Sequence, residues 1–348
     1  MGINITTLQI TPEILSLISE IDEFKGTWKV LAHVAPGKFS ALKKVATIES
    51  IGSSTRIEGS RLSDAQVEAL LSNLSLQSFA SRDGQEVAGY AGVMDLVFQN
   101  HQHIELTENN IRQLHQNLLE YSEKDQHHRG NYKTFPNHIE TFDATGKSLG
   151  IVFETATPFD TPFQMETLIS WTRQAFELGE LHPLLITAAF VVAFLAIHPF
   201  QDGNGRLSRI LTTWLLLRSG YTYVPYSSLE AVIEHNKEGY YVALRKTQQT
   251  FTTPAPEWQS WIVFFLKALK EQKQQLERKI ETEKLLTVLP ALSVSIIDST
   301  RSRGRITISD IVTLTNANRN TIKKHLESLV ATNQLKKHGI GKGSFYTL

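Results

Sequence analysis

The sequence predicts a mainly α protein that closes with a small α+β domain. Three observations lead there. Apolar residues recur at helical spacing along most of the 348 residues. One stretch, 130–162, breaks that period with β-branched and aromatic residues around the turn-rich Asp143-Ala-Thr-Gly146. Beyond Pro290 the pattern changes to two helices, a turn and a glycine-cornered ribbon.

Taken in order, residues 12–31 and 41–49 read as amphipathic helices, and residues 63–76 start on the cap and acid of Ser63-Asp64. A helix over 85–99 follows, and Thr107 caps another over 107–120, with Ile111, Leu114 and Leu118 on one face. A β-hairpin is expected from strands at 133–142 and 147–153. Helices resume at 161–178, 184–197 and 205–218, the last closed by Gly220 beyond its C-terminus. The run 184–197 is fourteen apolar or small residues between prolines, too short to span a bilayer and suited to a buried core helix. Residues 240–250 continue the helical region, and 258–286 read as one long connecting helix that grows more charged towards Lys284. Last come helices at 306–314 and 319–333, joined through Asn316-Ala-Asn318, and a ribbon over 335–348, a winged-helix pattern. The expected division is therefore 1–84, 85–250, a connector over 251–289, and 290–348.

The 41% apolar content is that of an ordinary globular chain, and formal net charge is zero. That balance conceals an asymmetry. From residue 299 to the end, nine basic residues face two acidic ones, so this tail is near +7 and the remainder near −7. The absence of cysteine excludes disulfides, thiol catalysis and thiolate metal sites. The first seven residues have neither the basic nor the apolar region of a signal peptide, so a cytoplasmic protein without membrane contact is expected.

The densest chemistry lies in His198-Pro-Phe-Gln-Asp202-Gly203-Asn204-Gly205-Arg206-Leu207-Ser208-Arg209. Pro199 stops the apolar helix and leaves His198 at its C-terminal end, facing a loop. Gly203 and Gly205 allow backbone N–H groups close to an anion, where the next helix begins and adds partial positive charge. Arg206 and Arg209, three apart, reach from one face towards phosphate oxygens. Asp202 is placed to bind a Mg²⁺ that bridges phosphates. His198, with an ordinary pKa near ~6.5, can take a proton from a hydroxyl.

These twelve residues match, at every defined position, the signature His-x-Phe-x-Asp/Glu-Gly-Asn-Gly-Arg-x-x-Arg, and the chain resembles the Fic-domain proteins. The likeness extends over about 86–249 through Ile111-Arg112-x-Leu114-His115, Gly130-x-Tyr132-Lys133 and Tyr240-Tyr241 followed by Ala-Leu. The resemblance implies a Fic helical core with a β-hairpin flap, and transfer of AMP from ATP to a Ser, Thr or Tyr hydroxyl of a target protein, itself included. His198 would be the base, Asp202 the Mg²⁺ ligand, and Gly203, Asn204, Gly205, Arg206, Leu207, Ser208 and Arg209 the phosphate cradle. Tyr240, Tyr241 and Gln248 would line the adenine and ribose pocket, although the family often has Asn where Gln248 stands. His115 is read as a packed helix residue.

Ser54-Thr-Arg-Ile-Glu58-Gly59, just after the helix expected to end near Glu49, also fits the family's inhibitory motif. Its position before the core resembles the second inhibition class, with Glu58 pairing Arg209 and displacing the ATP γ-phosphate. In some members the same Glu positions a water that removes AMP, so a de-AMPylating or bifunctional enzyme is the alternative. In the basic tail Ile322, Leu326, Leu329 and Val330 follow core spacing and leave Arg319, Asn320, Lys323 and Lys324 exposed, with Lys336, Lys337, His338 and Lys342 on the wing. That face fits DNA phosphates. A docking or homodimer surface is the other reading, and a DNA-binding regulator with a nucleotide-sensing site is the remaining alternative.

Overall fold

The computed structural model describes residues 3–34, 39–72, 79, 81–142, 148–288, 290–331, 334–339 and 343–348. The Asp143–Gly146 turn, Lys342 and the expected end of the third helix at 73–76 lie outside them. The chain divides into two compact units, Met1–Leu276 and Glu277–Leu348.

The first unit is helical apart from one hairpin. Its order is α1 (Pro12–Val34), α2 (Ser40–Ile57), α3 (Asp64–Ser72), α4 (Arg82–Asn100), α5 (Glu108–Leu118), β1 (Ile139–Phe142), β2 (Ser148–Phe153), α6 (Thr161–Leu178), α7 (Pro183–Ile197) and α8 (Asn204–Arg218). A 3₁₀ turn (Val224–Tyr226), α9 (Leu229–His235), α10 (Lys237–Thr250) and α11 (Gln259–Val288) complete it, with α11 running on into the second unit. Every residue of α7 from Leu184 to Ile197 is buried, as a helix apolar on all sides requires. It packs against α6 and α8, and α8 is itself buried from Arg206 to Leu217. The segment joining these two helices thus hangs from two buried, mutually packed helices.

Several sequence expectations need correction. The second helix does not stop near Glu49; α2 continues to Ile57. Residues Gly52, Ser53, Ser54 and Thr55 are weak helix formers, but all are buried, in a helix that packs against α9, α4 and α3. A Cβ on Gly52 would meet the ends of the Asp64 and Arg56 side chains, which pair with each other over this glycine. Helix α9, seven residues long, went unrecognised, although Ser228 caps it by accepting from the Ala231 N–H. The first strand begins at Ile139 rather than at residue 133, because Tyr132 bridges Phe200 and the Lys133 N–H is given to Pro199 O (2.8 Å). The strands pair antiparallel, Glu140 opposite Ile151 and Thr141 opposite Gly150, with an irregular register. The long helix is not a mere connector either: Trp261, Ile262, Phe265, Leu266 and Leu269 are buried in the first unit.

Gly89 lets α4 touch α5. A Cβ there would collide with the Leu118 carbonyl at the end of α5. This backbone-to-backbone approach carries α5, and with it His115, beneath the α7–α8 loop.

The second unit holds α12 (Ala291–Arg303), β3 (Ile306–Thr307), α13 (Ile308–Thr315), α14 (Arg319–Ala331), β4 (Lys336–His338) and β5 (Phe345–Thr347). The strands form an antiparallel sheet in the order β3-β5-β4. Thr307 and Asp310 make a reciprocal capping box, and Asn316, at φ 56°, ends α13 at the expected turn. The core gathers Ile296, Ile297, Ile306, Ile311, Ile322, Leu326, Leu329, Leu335 and Tyr346, with Val330 packed on it. Helix α12 was not anticipated, since its Ser- and β-branched-rich sequence has little helical preference; burial of Ile296 and Ile297 overrides this. No helix among the described residues is long and apolar enough to cross a membrane.

Candidate active site

The site is built on the α7–α8 loop. His198 caps α7 in the left-handed region (φ 53°, ψ 60°), its N–H donating to Phe194 O at 2.8 Å. A non-glycine residue there costs about 1–2 kcal/mol, which the surrounding contacts must offset. Its Nδ1 lies 3.3 Å from Leu195 O. A proton on Nδ1 donates to that carbonyl and puts the ring's lone pair on Nε2. Burial, and then the nearby Lys133 cation, push the imidazole pKa down to about 4, so the ring is neutral at pH 7.

Asn204 braces the loop. Its Oδ1 accepts from the Phe200 N–H (2.9 Å) and its Nδ2 donates to Phe200 O (2.6 Å), so the side chain expected on a phosphate holds the loop closed. Phe200 is fully buried and stacks on His115, ring centroids 3.8 Å apart. His115 accepts from the Gly130 N–H at Nδ1 (2.9 Å), which leaves its Nε2–H to donate to Asp202 O (3.0 Å). Burial holds its pKa at about 4. His115 is packed, as expected, and it also ties two backbone segments to the loop.

Gly203, at φ 78°, is the N-cap of α8. The helix's first backbone bond runs from Leu207 N–H to Gly203 O, so the N–H groups of Asn204, Gly205 and Arg206 belong to the open N-terminal turn, where partial positive charge collects. Asp202 stands beside that turn, its Oδ1 accepting from the Gly203 N–H at 2.6 Å and lying 3.4 Å from Arg206, while Oδ2 lies 3.4 Å from Arg82. Burial acts to raise its pKa, but Arg206, the Gly203 N–H and Arg82 outweigh it and keep the carboxylate ionised. Arg206 is 2% exposed, sits 3.3 Å from Glu86, and has no hydrogen-bond acceptor for Nε or Nη1. Nη1 is the atom facing the Glu86 carboxylate, so it is ion-paired, while Nε is a buried guanidinium donor with no partner, beside a helix N-terminus suited to anionic oxygens.

Arg209 lies deeper. Its Nε donates to Ser54 Oγ (2.8 Å), and its Nη2 donates to Ser54 O (2.9 Å) and Glu58 Oε1 (2.8 Å). Burial works against this cation, but Glu58 and the surrounding oxygens raise its pKa above the ordinary value. Glu58 follows the last turn of α2, and its carboxylate covers Gly205; a Cβ on Gly205 would strike it. Ser54 is buried and serves Arg209 directly, whereas Gly59, at φ 107°, turns the chain out of the helix. Arg56, between them, holds Glu234 through Nε (2.7 Å) and Nη2 (3.0 Å) and Asp64 through Nη1 (2.8 Å).

A cavity brings these parts together. Its lining combines polar groups from the loop and α2, among them Glu58, His198, Asp202 and Arg206, with the rings and side chains of Phe153, Leu195, Tyr240, Tyr241, Leu244 and Gln248. Arg209 does not line it; the Glu58 carboxylate does. Leu207 and Ser208, expected in the phosphate cradle, are fully buried on the core side of α8 and do not reach the cavity with their side chains. Gln201 and Arg245 also line it, and neither was anticipated. Glu86 and Arg82 were missed as well, although their four-residue spacing on one helix is a legible ion-pair signal.

The fold and the loop are similar to those of Fic proteins over part of the chain. The model of the Fic/DOC family matches residues 105–216, which span α5 to α8 and include the whole loop. Among curated relatives, the chain is 25% identical over 274 residues to the protein adenylyltransferase Fic of Drosophila grimshawi, covering 77% of this chain and 53% of that protein. It is 24% identical over 258 residues to the Drosophila willistoni protein of the same name, covering 72% and 48%. The chain thus spans about half the length of the curated relatives it matches. A Fic family protein from Desulfovibrio desulfuricans shares the fold at TM-score 0.61 and 21% identity, covering 98% of this chain and 97% of that one. A Fic domain-containing signaling protein from Bacteroides thetaiotaomicron superposes at TM-score 0.58 with 24% identity, covering 76% and 97%.

Proposed function

We propose that this protein is a protein adenylyltransferase that moves AMP from ATP to a protein hydroxyl and is restrained by its own Glu58. The observation that carries the reading is the position of Glu58, a carboxylate lying over Gly205 and bonded to Arg209, in the place where an anion would sit. The names of the relatives agree with it.

In the released state His198 Nε2 takes the proton of a Ser, Thr or Tyr hydroxyl. The oxygen attacks the α-phosphorus as the α–β P–O bond breaks, and pyrophosphate leaves. The N-terminal turn of α8 and Arg206 neutralise charge on the phosphates, so most of the acceleration is positioning and electrostatics. Tyr240, Tyr241, Leu244 and Gln248 offer the apolar and polar surface for adenosine. Asp202 fits a Mg²⁺ site of one carboxylate completed by phosphates, and its two arginine neighbours at 3.4 Å would exchange onto phosphate. A Mg²⁺ there supplies charge neutralisation on the leaving group.

Because Glu58 and His198 line one cavity, a second reading is AMP removal, with Glu58 orienting the attacking water. The C-terminal unit, read as a winged helix, is proposed to meet DNA backbone through Arg319, Lys323 and Lys324, all exposed on α14. Labelling with ATP marked at the α-phosphate tests the main reading. Self-labelling should rise in Glu58→Gly and vanish in Glu58→Gly/His198→Ala, while an AMP-modified protein released by wild type but not by Glu58→Gly would favour the second.

A further inference from the structure

The Gly130-x-Tyr132-Lys133 motif is not used by the chemistry above, yet its lysine is among the most constrained polar groups in the molecule. Lys133 is 3% exposed. Its Nζ donates to Asn137 Oδ1 (2.8 Å), Thr155 Oγ1 (2.9 Å) and Ile197 O (3.0 Å), all neutral oxygens. Ile197 O is one of the carbonyls that the end of α7 leaves without a helical donor, and the negative end of the helix dipole favours a cation there. The lysine's own N–H holds Pro199 O at 2.8 Å.

Asn137 continues the brace. Its Nδ2 donates to His198 O (3.2 Å) and Phe200 O (2.6 Å), and its Oδ1 accepts from Thr155 Oγ1 at 3.0 Å. Residue 137 lies two positions before β1 and Thr155 two positions after β2, so these are the two roots of the hairpin. The carbonyls of residues 197, 198, 199 and 200 are therefore all held from the hairpin's base. His198 in the middle is the residue with the left-handed backbone. A buried ammonium without a carboxylate partner costs stability unless its hydrogen bonds compensate.

We infer that Lys133 is a positioning residue that fastens both roots of the hairpin to the α7–α8 loop and so fixes the aim of His198. It touches no reacting atom. Its effect is on the orientation of the base relative to whatever the hairpin aligns. The inference rests on the proposed AMP transfer for its kinetic readout, and on the His198 ring for a readout that does not.

The test uses the full chain in a Glu58→Gly background. Lys133→Met should lower kcat for self-labelling by about 10- to 100-fold, as expected for a base displaced by a fraction of a bond length, with KM for ATP changed less than about threefold. Lys133→Arg, which keeps charge and donors, should restore most of the rate. Thr155→Val, close in shape and removing one strut, should lower kcat less, and it keeps the test alive if Lys133→Met does not fold. In parallel, the ¹⁵N spectrum of the His198 ring should lose its single Nδ1–H tautomer in Lys133→Met and in Thr155→Val. Parent-like kcat in both variants overturns the inference, as does a loss that Lys133→Arg fails to recover. If the Glu58→Gly parent itself labels nothing, the AMP-transfer reading has failed, and an unchanged ring spectrum then overturns this inference separately.

Discussion

Replacing Glu58 with glycine removes one partner of a partly buried ion pair, and its size can be worked from the contacts. The N–O distance is 2.8 Å, and the Arg209 side chain is 5% exposed against 34% for Glu58. A hydrogen bond to a charged group contributes about 1.5–3 kcal/mol, and the solvent reaching Glu58 argues for the lower half of that range. Arg209 keeps its two bonds to Ser54 after the change, so it stays in place with one donor released. A phosphate that no longer has to displace the carboxylate gains that free energy, which is about 12- to 40-fold in occupancy at ~1.4 kcal/mol per decade. Clearing the space over Gly205 acts in the same direction. Self-labelling by α-labelled ATP, at subsaturating ATP, should rise by at least this factor. Glu58→Gln, which keeps the shape but loses the charge, should fall between. Equal labelling by Glu58→Gly and wild type would refute the reasoning, because the carboxylate would then not be competing for the anion site.

Further outcomes follow from other contacts. Gly89→Ala should destabilise the first unit by about 1–3 kcal/mol or more in urea unfolding, since the added methyl meets the Leu118 carbonyl and two helix backbones must separate. His115 is held neutral with a pKa of about 4 against 6.5 unfolded, so unfolding takes up a proton below pH 6.5. Its contribution is complete above that value and is lost as pH falls towards 4, by about 3 kcal/mol, a slope that His115→Asn should reduce in urea melts at pH 7, 5 and 4. Arg56→Ala releases Glu234 and Asp64 and loosens the end of α2 by about 1.5–3 kcal/mol. Self-labelling of that variant should rise towards the Glu58→Gly level; a loss of stability with unchanged labelling would separate the anchor from the brake.

What the sequence by itself determined was local. The α7–α8 loop is contiguous, so the proline stop, the histidine at the helix end, the glycines before the next helix and the arginines one helical turn apart follow from spacing along one chain segment, whereas the left-handed backbone of His198 does not. The uniform apolarity of α7 likewise announced its burial, and the capped start of α5 at Thr107 was legible from its cap and helical period. Tertiary structure decided everything that joins distant segments. Glu58 meets Arg209 across 151 residues, His115 meets Asp202 across 87, and Lys133 meets Ile197 across 64. Even the helix that delivers Glu58 was misjudged, because Gly-Ser-Ser-Thr reads as a helix end until its neighbours bury it. Propensity is worth tenths of a kcal/mol per residue, and burial in a helix packed against α9, α4 and α3 outweighs it. The chemical groups were therefore visible in the chain, while their mutual restraint exists only once the helices are packed.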